Sequence, residues 1–199
     1  MATLTDLFPA SSLDSNLWNS TTTGAGAFVV GTPSDGVWPS GIASDGDSVL
    51  IDSENKIVMP DSVNFDCSIR YYSVEPALSG LYSSIFLAWR SAEKSGGLSV
   101  DGIDIELVTR PGPTHTFEKV IRTAGVDNRI VLIADPSSGG DGGLRIERID
   151  STINLYTRDA TNAEWTIVDE TIAPSTDQGF LVFGTYAAEI PDDMFDWIY

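Results

Sequence analysis

Apolar and polar residues alternate with a period of two along most of this chain, and Gly, Pro, Asp and Ser cluster between the alternating runs. A helix repeats its apolar positions every three to four residues, and no long segment does so. The pattern therefore predicts strands over Ala27–Val30, Val49–Ile51, Lys56–Met59, Phe65–Val74, Ser84–Arg90, Leu98–Val100 and Ile103–Thr109. It predicts further strands over Thr116–Arg122, Arg129–Ala134, Gly143–Ile149, Thr152–Arg158, Trp165–Thr171 and Gly179–Thr185, with a closing strand at Met194–Tyr199. A short helix is the alternative over Ala163–Val168 and over Glu189–Met194. Many short strands joined by turn signals imply an all-β fold, a two-sheet antiparallel β-sandwich of the jelly-roll kind.

The breaks carry turn chemistry. Pro33-Ser34-Asp35-Gly36, Ser44-Asp45-Gly46-Asp47, Ser95-Gly96-Gly97 and the Ser/Gly/Asp run 137–142 supply the Gly and Asp that positive φ and Asx turns require. The clearest hairpin joins Leu144–Ile149 to Thr152–Tyr156 through Asp150-Ser151. Alternation also sorts faces. Cys67, Ile69 and Tyr71 oppose Ser68, Arg70 and Tyr72. Ile85, Leu87 and Trp89 oppose Phe86, Ala88 and Arg90, and Ile103, Ile105 and Leu107 oppose Asp104, Glu106 and Val108. The apolar sets belong in the core. The others are expected to line one open sheet face, carrying Arg70, Tyr72, Phe86, Arg90, Asp104 and Glu106.

The 199 residues suit one domain, read as 1–199, with no linker and no internal repeat. Net charge is −18. Only Lys56 is basic before Arg70, and nothing after Arg158 is. Such a surface repels the phosphates of nucleic acid and an anionic membrane, so neither is expected as a partner. No apolar stretch reaches bilayer-spanning length, and the first residues have no basic cluster or apolar core, so no secretory signal is expected. Cys67, the single cysteine, allows no intrachain disulfide and reads as a small buried hydrophobe. His115, the single histidine, lies beside turn formers and reads as a loop residue. One His and one Cys disfavour structural zinc.

Both ends of the chain carry a resemblance. Asp6-Leu7-Phe8, Ser12-Leu13-Asp14 and Leu17-Trp18 open it, and Met194-Phe195-Asp196-Trp197-Ile198-Tyr199 close it. These segments resemble the concanavalin A-like lectin/glucanase superfamily, and in particular its laminarinase and lichenase hydrolases. The resemblance implies a concanavalin A-like jelly roll with a concave ligand-binding sheet face. In that family the catalytic strand reads Glu-x-Asp-x-x-Glu or Glu-x-Asp-x-Glu, holding nucleophile, assisting Asp and acid/base. Here the match is Gly102-Ile103-Asp104-Ile105-Glu106. Asp104 and Glu106 take the assisting and acid/base places, but Gly102 stands where the nucleophile belongs. Retaining hydrolysis needs two carboxyls about 5–5.5 Å apart, and neighbouring Asp101 points to the other face of a strand. No catalytic set is therefore assigned, and an enzyme is not expected.

Two binding readings accompany this one. A sugar platform would use Tyr72 and Trp38 for stacking, with Arg70, Phe86, Arg90, Asp104 and Glu106 around them. The alternative for the charged members is a cross-strand ion-pair ladder of Arg70 and Arg90 with Asp104 and Glu106. No cofactor is required. The resemblance also implies a structural calcium held by the closing-strand Asp, here Asp196, with backbone oxygens. An acidic, single-domain jelly roll without a catalytic set further resembles bacteriophage virion proteins, such as a capsid decoration or tail component. The leading expectation is thus a non-enzymatic virion structural protein, located in the particle, contacting other virion proteins or copies of itself. The rivals are a carbohydrate-binding module using the concave face for a surface glycan, and a divergent glycoside hydrolase with Glu106 as acid/base.

Overall fold

The alternating runs pair as antiparallel strands stacked in two layers. The computed structural model describes residues 12–30, 37–40, 42, 44–57, 59–60, 63–71, 81–95, 98–110, 114–134, 141–158, 163–173 and 178–188. These contain β1 (Asn19–Thr23), β2 (Ala27–Val30), β3 (Val37–Ser40), β4 (Ser48–Asp52), β5 (Met59–Pro60), β6 (Phe65–Tyr71), β7 (Tyr82–Ser91) and β8 (Lys94–Ser95). Then come β9 (Leu98–Ser99), β10 (Gly102–Arg110), β11 (Thr114–Thr123), β12 (Val126–Ala134), β13 (Gly142–Ile149), β14 (Thr152–Arg158), β15 (Thr166–Ile172) and β16 (Gln178–Ala188). No helix occurs among the described residues.

The large sheet runs β1-β4-β16-β7-β10-β11-β12, with β5 added beside β16. The small sheet runs β15-β14-β13-β6. Between them lies the main core. Leu87, Trp89, Ile103, Ile105, Leu107 and Phe117 from the large sheet meet Tyr71, Leu144, Ile146, Ile153 and Leu155 from the small one. Each strand contributes its alternate residues, as its period-two pattern requires. Cys67 and Ile69 pack against this cluster from β6, and burial pushes the Cys67 thiol up to about 12.

A second apolar cluster sits on the far face of the large sheet: Leu50, Phe86, Ala88, Val120, Phe180, Val182 and Tyr186. Strand β10 is consequently buried on both faces from Gly102 to Thr109. That doubly buried strand is the one bearing Asp104 and Glu106.

Several elements differ from the sequence reading. β1 is not among the expected strands, since its residues, Asn-Ser-Thr-Thr-Thr, have no apolar face, yet they pair with β4 from Asn19↔Asp52 to Thr23↔Ser48. It is an edge strand, where β-branched polar residues satisfy the backbone without needing a core. The strand expected from Lys56 shrinks to Met59–Pro60, since Asn55 (φ 59°) turns the chain and Lys56 and Ile57 both donate to the Ser53 carbonyl. Residues 166–168 of the alternative helix are strand, the start of β15. His115 is a strand residue of β11 rather than a loop residue, its Nδ1 3.0 Å from the Thr109 hydroxyl. The closing strand 194–199, with Asp196, lies outside the described residues, as does Tyr72.

Candidate functional site

Strand register sets the site. On the far face of the large sheet, Gly102 lies opposite Arg90 and Arg122, Asp104 opposite Ala88 and Val120, and Glu106 opposite Phe86 and Glu118. Arg129 joins from β12, across from Val120, and Tyr186 from β16, across from Ser84. The expected face assignment is correct for β7 and β10. What differs is the environment, because Phe86, Arg90, Asp104 and Glu106 are each 0% exposed. The second apolar cluster shares this face, so it is not an open platform.

Arg70 is elsewhere. Strand β6 belongs to the small sheet, and Arg70 is exposed on that sheet's outer side. Alternation within a strand divides its two faces but does not state which sheet the strand joins. The expected four-membered ladder is therefore corrected: Arg70 pairs with neither Asp104 nor Glu106. Trp38 has its backbone in β3, opposite Val29, and its side chain lies outside the described set.

What the face holds is a balanced ionic network. Arg90 grips both oxygens of Asp104 through its two terminal nitrogens. Glu106 Oε2 accepts from Tyr186 Oη at 2.9 Å, Ser84 Oγ at 3.1 Å and Arg129 Nη1 at 3.2 Å. The same Arg129 nitrogen donates at 2.6 Å to Glu118 Oε2, and Arg110 and Thr116 donate to Glu118 Oε1. One row further, Arg122 makes a two-pronged pair with Asp127 at 2.7 and 2.8 Å. Glu106 Oε1 is buried and finds no donor among the described residues. Arg129, Glu118 and Tyr186 were missed by the sequence reading. The signal for two of them was present, since pairing the Thr116–Arg122 run with its neighbour puts Glu118 and Arg129 on one face.

Burial and charge shift the groups in opposite directions. Desolvation lifts the Asp104 carboxyl to about 7, Arg90 opposing and the negative Glu106 and Asp127 adding to the rise. Desolvation also acts on Glu118, but hydrogen bonds from Arg129, Thr116 and Arg110 outweigh it and hold that carboxyl below its ordinary value. The Tyr186 hydroxyl rises well above its usual range through burial and the adjacent Glu106. Burial works against the Arg129 cation, yet Glu106, Tyr186 and Glu118 hold it charged.

Gly102 decides what this network can do. A Cβ there would lie 2.7 Å from Arg90 Nη1, 2.9 Å from Arg90 Cδ and 2.9 Å from the Trp89 carbonyl oxygen. The arginine lies over the place where a side chain at 102 would project, and the missing side chain is what lets it reach Asp104.

Elsewhere, Asp47 in the Ser44–Asp47 turn is buried and accepts from the Ala25 and Ser44 amides at 2.7 Å each. Its carboxylate organises local backbone. No cluster of three or more His, Cys, Asp or Glu residues suited to a metal occurs among the described residues.

No protein-family model matches the chain, and no curated sequence matches it at a significant level. Solved structures do. The GH16 protein of a Bacteroides ovatus mixed linkage glucan PUL, in complex with a G4G4G3G product, aligns at 12% identity and TM-score 0.58, over 88% of this chain and 83% of that one. The exoplasmic/lumenal domain of VIP36, in its Ca2+/Man3GlcNAc-bound form, aligns at 13% identity and TM-score 0.51, over 86% and 78%. The CBM2 module of the evolved Dit of Lactobacillus casei BL23 phage J-1 aligns at 10% identity and TM-score 0.52, over 84% and 73%. The fold is a concanavalin A-like jelly roll. At these identities the likeness establishes architecture, and the chemistry must come from the residues above.

Proposed function

We propose that this chain is a non-catalytic carbohydrate-binding jelly roll. One observation carries the non-catalytic half: Arg90 lies across Gly102, at the position from which the resembling hydrolases present a nucleophile. Beside it, Asp104 and Glu106 are buried and bound to Arg90, Arg129, Tyr186 and Ser84. A general acid must reach the bond it protonates, and these carboxylates are turned to one another's cations instead. Support for carbohydrate as the ligand comes from the neighbours in fold, among them a glucan-product complex, a mannose-containing complex and a carbohydrate-binding module. The test pairs two measurements on the purified chain. Glycan-array or calorimetric binding is expected, and release of reducing ends from β-glucans is not. Cleavage abolished by Glu106→Gln would overturn the proposal in favour of a divergent hydrolase.

A second reading, a structural component of a bacteriophage particle such as a decoration or tail protein, is favoured by the similarity to a phage Dit module. Size in the native source tests it. Recovery in a megadalton particle supports this reading, whereas a species near 21 kDa favours a free glycan-binding protein.

A further inference from the structure

The outer face of the small sheet is laid out in rows by its register. Arg70, Gly143 and Arg158 form one row, with Trp165 beside Arg158 just before β15. Ser68, Arg145, Tyr156 and Ile167 form the next. Three of the chain's 11 Lys and Arg residues thus gather on one face of an otherwise strongly acidic protein.

Two of these arginines are fixed over aromatic rings. Arg158 sits 4.3 Å from the Trp165 ring centroid and Arg145 4.4 Å from that of Tyr156. Arg145 is held further by Asp66 at 2.7 and 2.9 Å and by Glu147 at 2.9 Å, and Tyr156 donates to Glu147 at 2.6 Å. Gly143 is the platform's floor. A Cβ there would meet Trp165 Cη2 at 2.7 Å and Arg158 Nε at 2.9 Å, so its absence lets indole and guanidinium lie down against the sheet. Arg70, one strand over, is exposed, with no ion pair or side-chain hydrogen bond among the described residues.

From this arrangement we propose that the outer face of the small sheet, around Arg70, Arg158 and Trp165, binds a carboxylate-bearing saccharide of the uronic acid type. The inference rests on the carbohydrate-binding reading above and names the site and ligand class. With a guanidinium over each ring, a pyranose would contact the ring edges and the apolar stems of the arginines. A guanidinium fork matches a planar carboxylate in two parallel hydrogen bonds, and Arg70 is exposed on this face with no ion pair or side-chain hydrogen bond among the described residues. The net charge of −18 does not forbid this. At physiological ionic strength, fields are screened within about 8 Å, so the local arginines govern a single carboxylate.

Affinity electrophoresis and calorimetry with polygalacturonate and alginate, set against neutral laminarin and lichenan, test it. Retention by the uronates is expected, weakened by added salt and reduced roughly tenfold or more by Arg70→Glu and by Trp165→Ala. Arg70→Glu is the cleaner variant, since an exposed side chain is exchanged and folding is preserved. Trp165→Ala also removes packing on Gly143, so its melting temperature is recorded alongside. Uronate binding untouched by Arg70→Glu would overturn the site. Retention by neutral glucans alone would overturn the ligand class and leave the carbohydrate reading standing. Retention by none of the four would overturn the uronate site, and a blank glycan array would sink the carbohydrate reading as well.

Discussion

The guanidinium of Arg90 and the missing side chain of Gly102 are two halves of one feature. The arginine reaches Asp104 by crossing the strand where residue 102 offers only a hydrogen, with Nη1 2.7 Å and Cδ 2.9 Å from a hypothetical Cβ. Gly102→Ala is therefore expected to cost about 1–3 kcal/mol by overpacking. Gly102→Glu is expected to cost more, and to yield no hydrolase, because the new carboxylate would have to displace Arg90 from a fully buried site. Denaturant unfolding of Gly102→Ala, alone and combined with Arg90→Ala, reads the coupling. Equal cost in both backgrounds would show that the arginine is not what the glycine accommodates.

The Arg90–Asp104 pair should be asymmetric under mutation. Above about pH 8, where Asp104 is ionised beside Arg90, removing one buried partner strands the other's charge, so Arg90→Leu is expected to cost roughly 3–5 kcal/mol there. The double variant Arg90→Leu/Asp104→Leu should recover most of that loss, because two apolar side chains need no desolvation. Thermal or chemical denaturation of the two variants decides between this and a purely steric role for Arg90.

Asp104 also predicts a pH dependence. Its folded pKa is raised to about 7 by burial, above the unfolded value of about 3.9. Between these values the folded chain keeps a proton that the unfolded chain has lost. The contribution is full below the unfolded pKa and is lost as pH rises through the folded one. From this group, stability should fall by up to roughly 1.4 kcal/mol per pH unit between about pH 4 and pH 7. Asp104→Asn removes the titration and should flatten that segment of the stability–pH profile. A profile unchanged by the substitution would refute the shift.

The sequence shows more of the strands than of their environment. The pattern Ile103, Ile105, Leu107 against Asp104, Glu106, Val108 places both sets on their correct faces, because period two is a local property of the backbone. Burial of the second set depends on Phe180, Val182 and Tyr186 of β16, some 75 residues later in the chain. No local pattern announces that partner. Arg70 shows the same limit in another form: its face is correctly assigned within β6, but the sheet that β6 joins is a matter of topology. β1 escaped because an edge strand of threonines has no apolar period to detect. The ionic half of the site was partly legible, since Arg90, Asp104 and Glu106 stand out by type and phase. Arg129 required knowing that β12 folds back on β11.

That β11–β12 hairpin offers a stabilising change. Thr123 pairs with Val126, so the turn is Ala124-Gly125, with φ of 53° and 79°. Both central residues are left-handed, the geometry for which Asn-Gly is favoured. Alanine in that region is strained, while asparagine tolerates it. Ala124→Asn is expected to stabilise the fold by about 0.5–1 kcal/mol. The hydrogen bond that the residue-124 backbone N–H donates to Asp101 Oδ1 at 3.1 Å does not use the residue-124 side chain and should persist. A decrease in the denaturation midpoint would contradict the turn assignment.

Cys67 gives a direct probe of the core. It lies on β6 facing the main cluster, packed beside residues of both sheets. Burial, with a smaller contribution from Asp66, pushes its thiol up to about 12. Thiolate is the reactive form, so at pH 8 the folded thiol, half-buried on edge strand β6, should react far more slowly than an unfolded one. Reaction with an aromatic disulfide reagent should be slow in buffer and complete within the dead time in strong denaturant. Between these limits the labelling rate should follow the unfolded fraction, as measured by tryptophan fluorescence. Fast labelling of the native chain would show that β6 separates locally from β13, and the small sheet, with its arginine and aromatic platform, would then be the less stable layer.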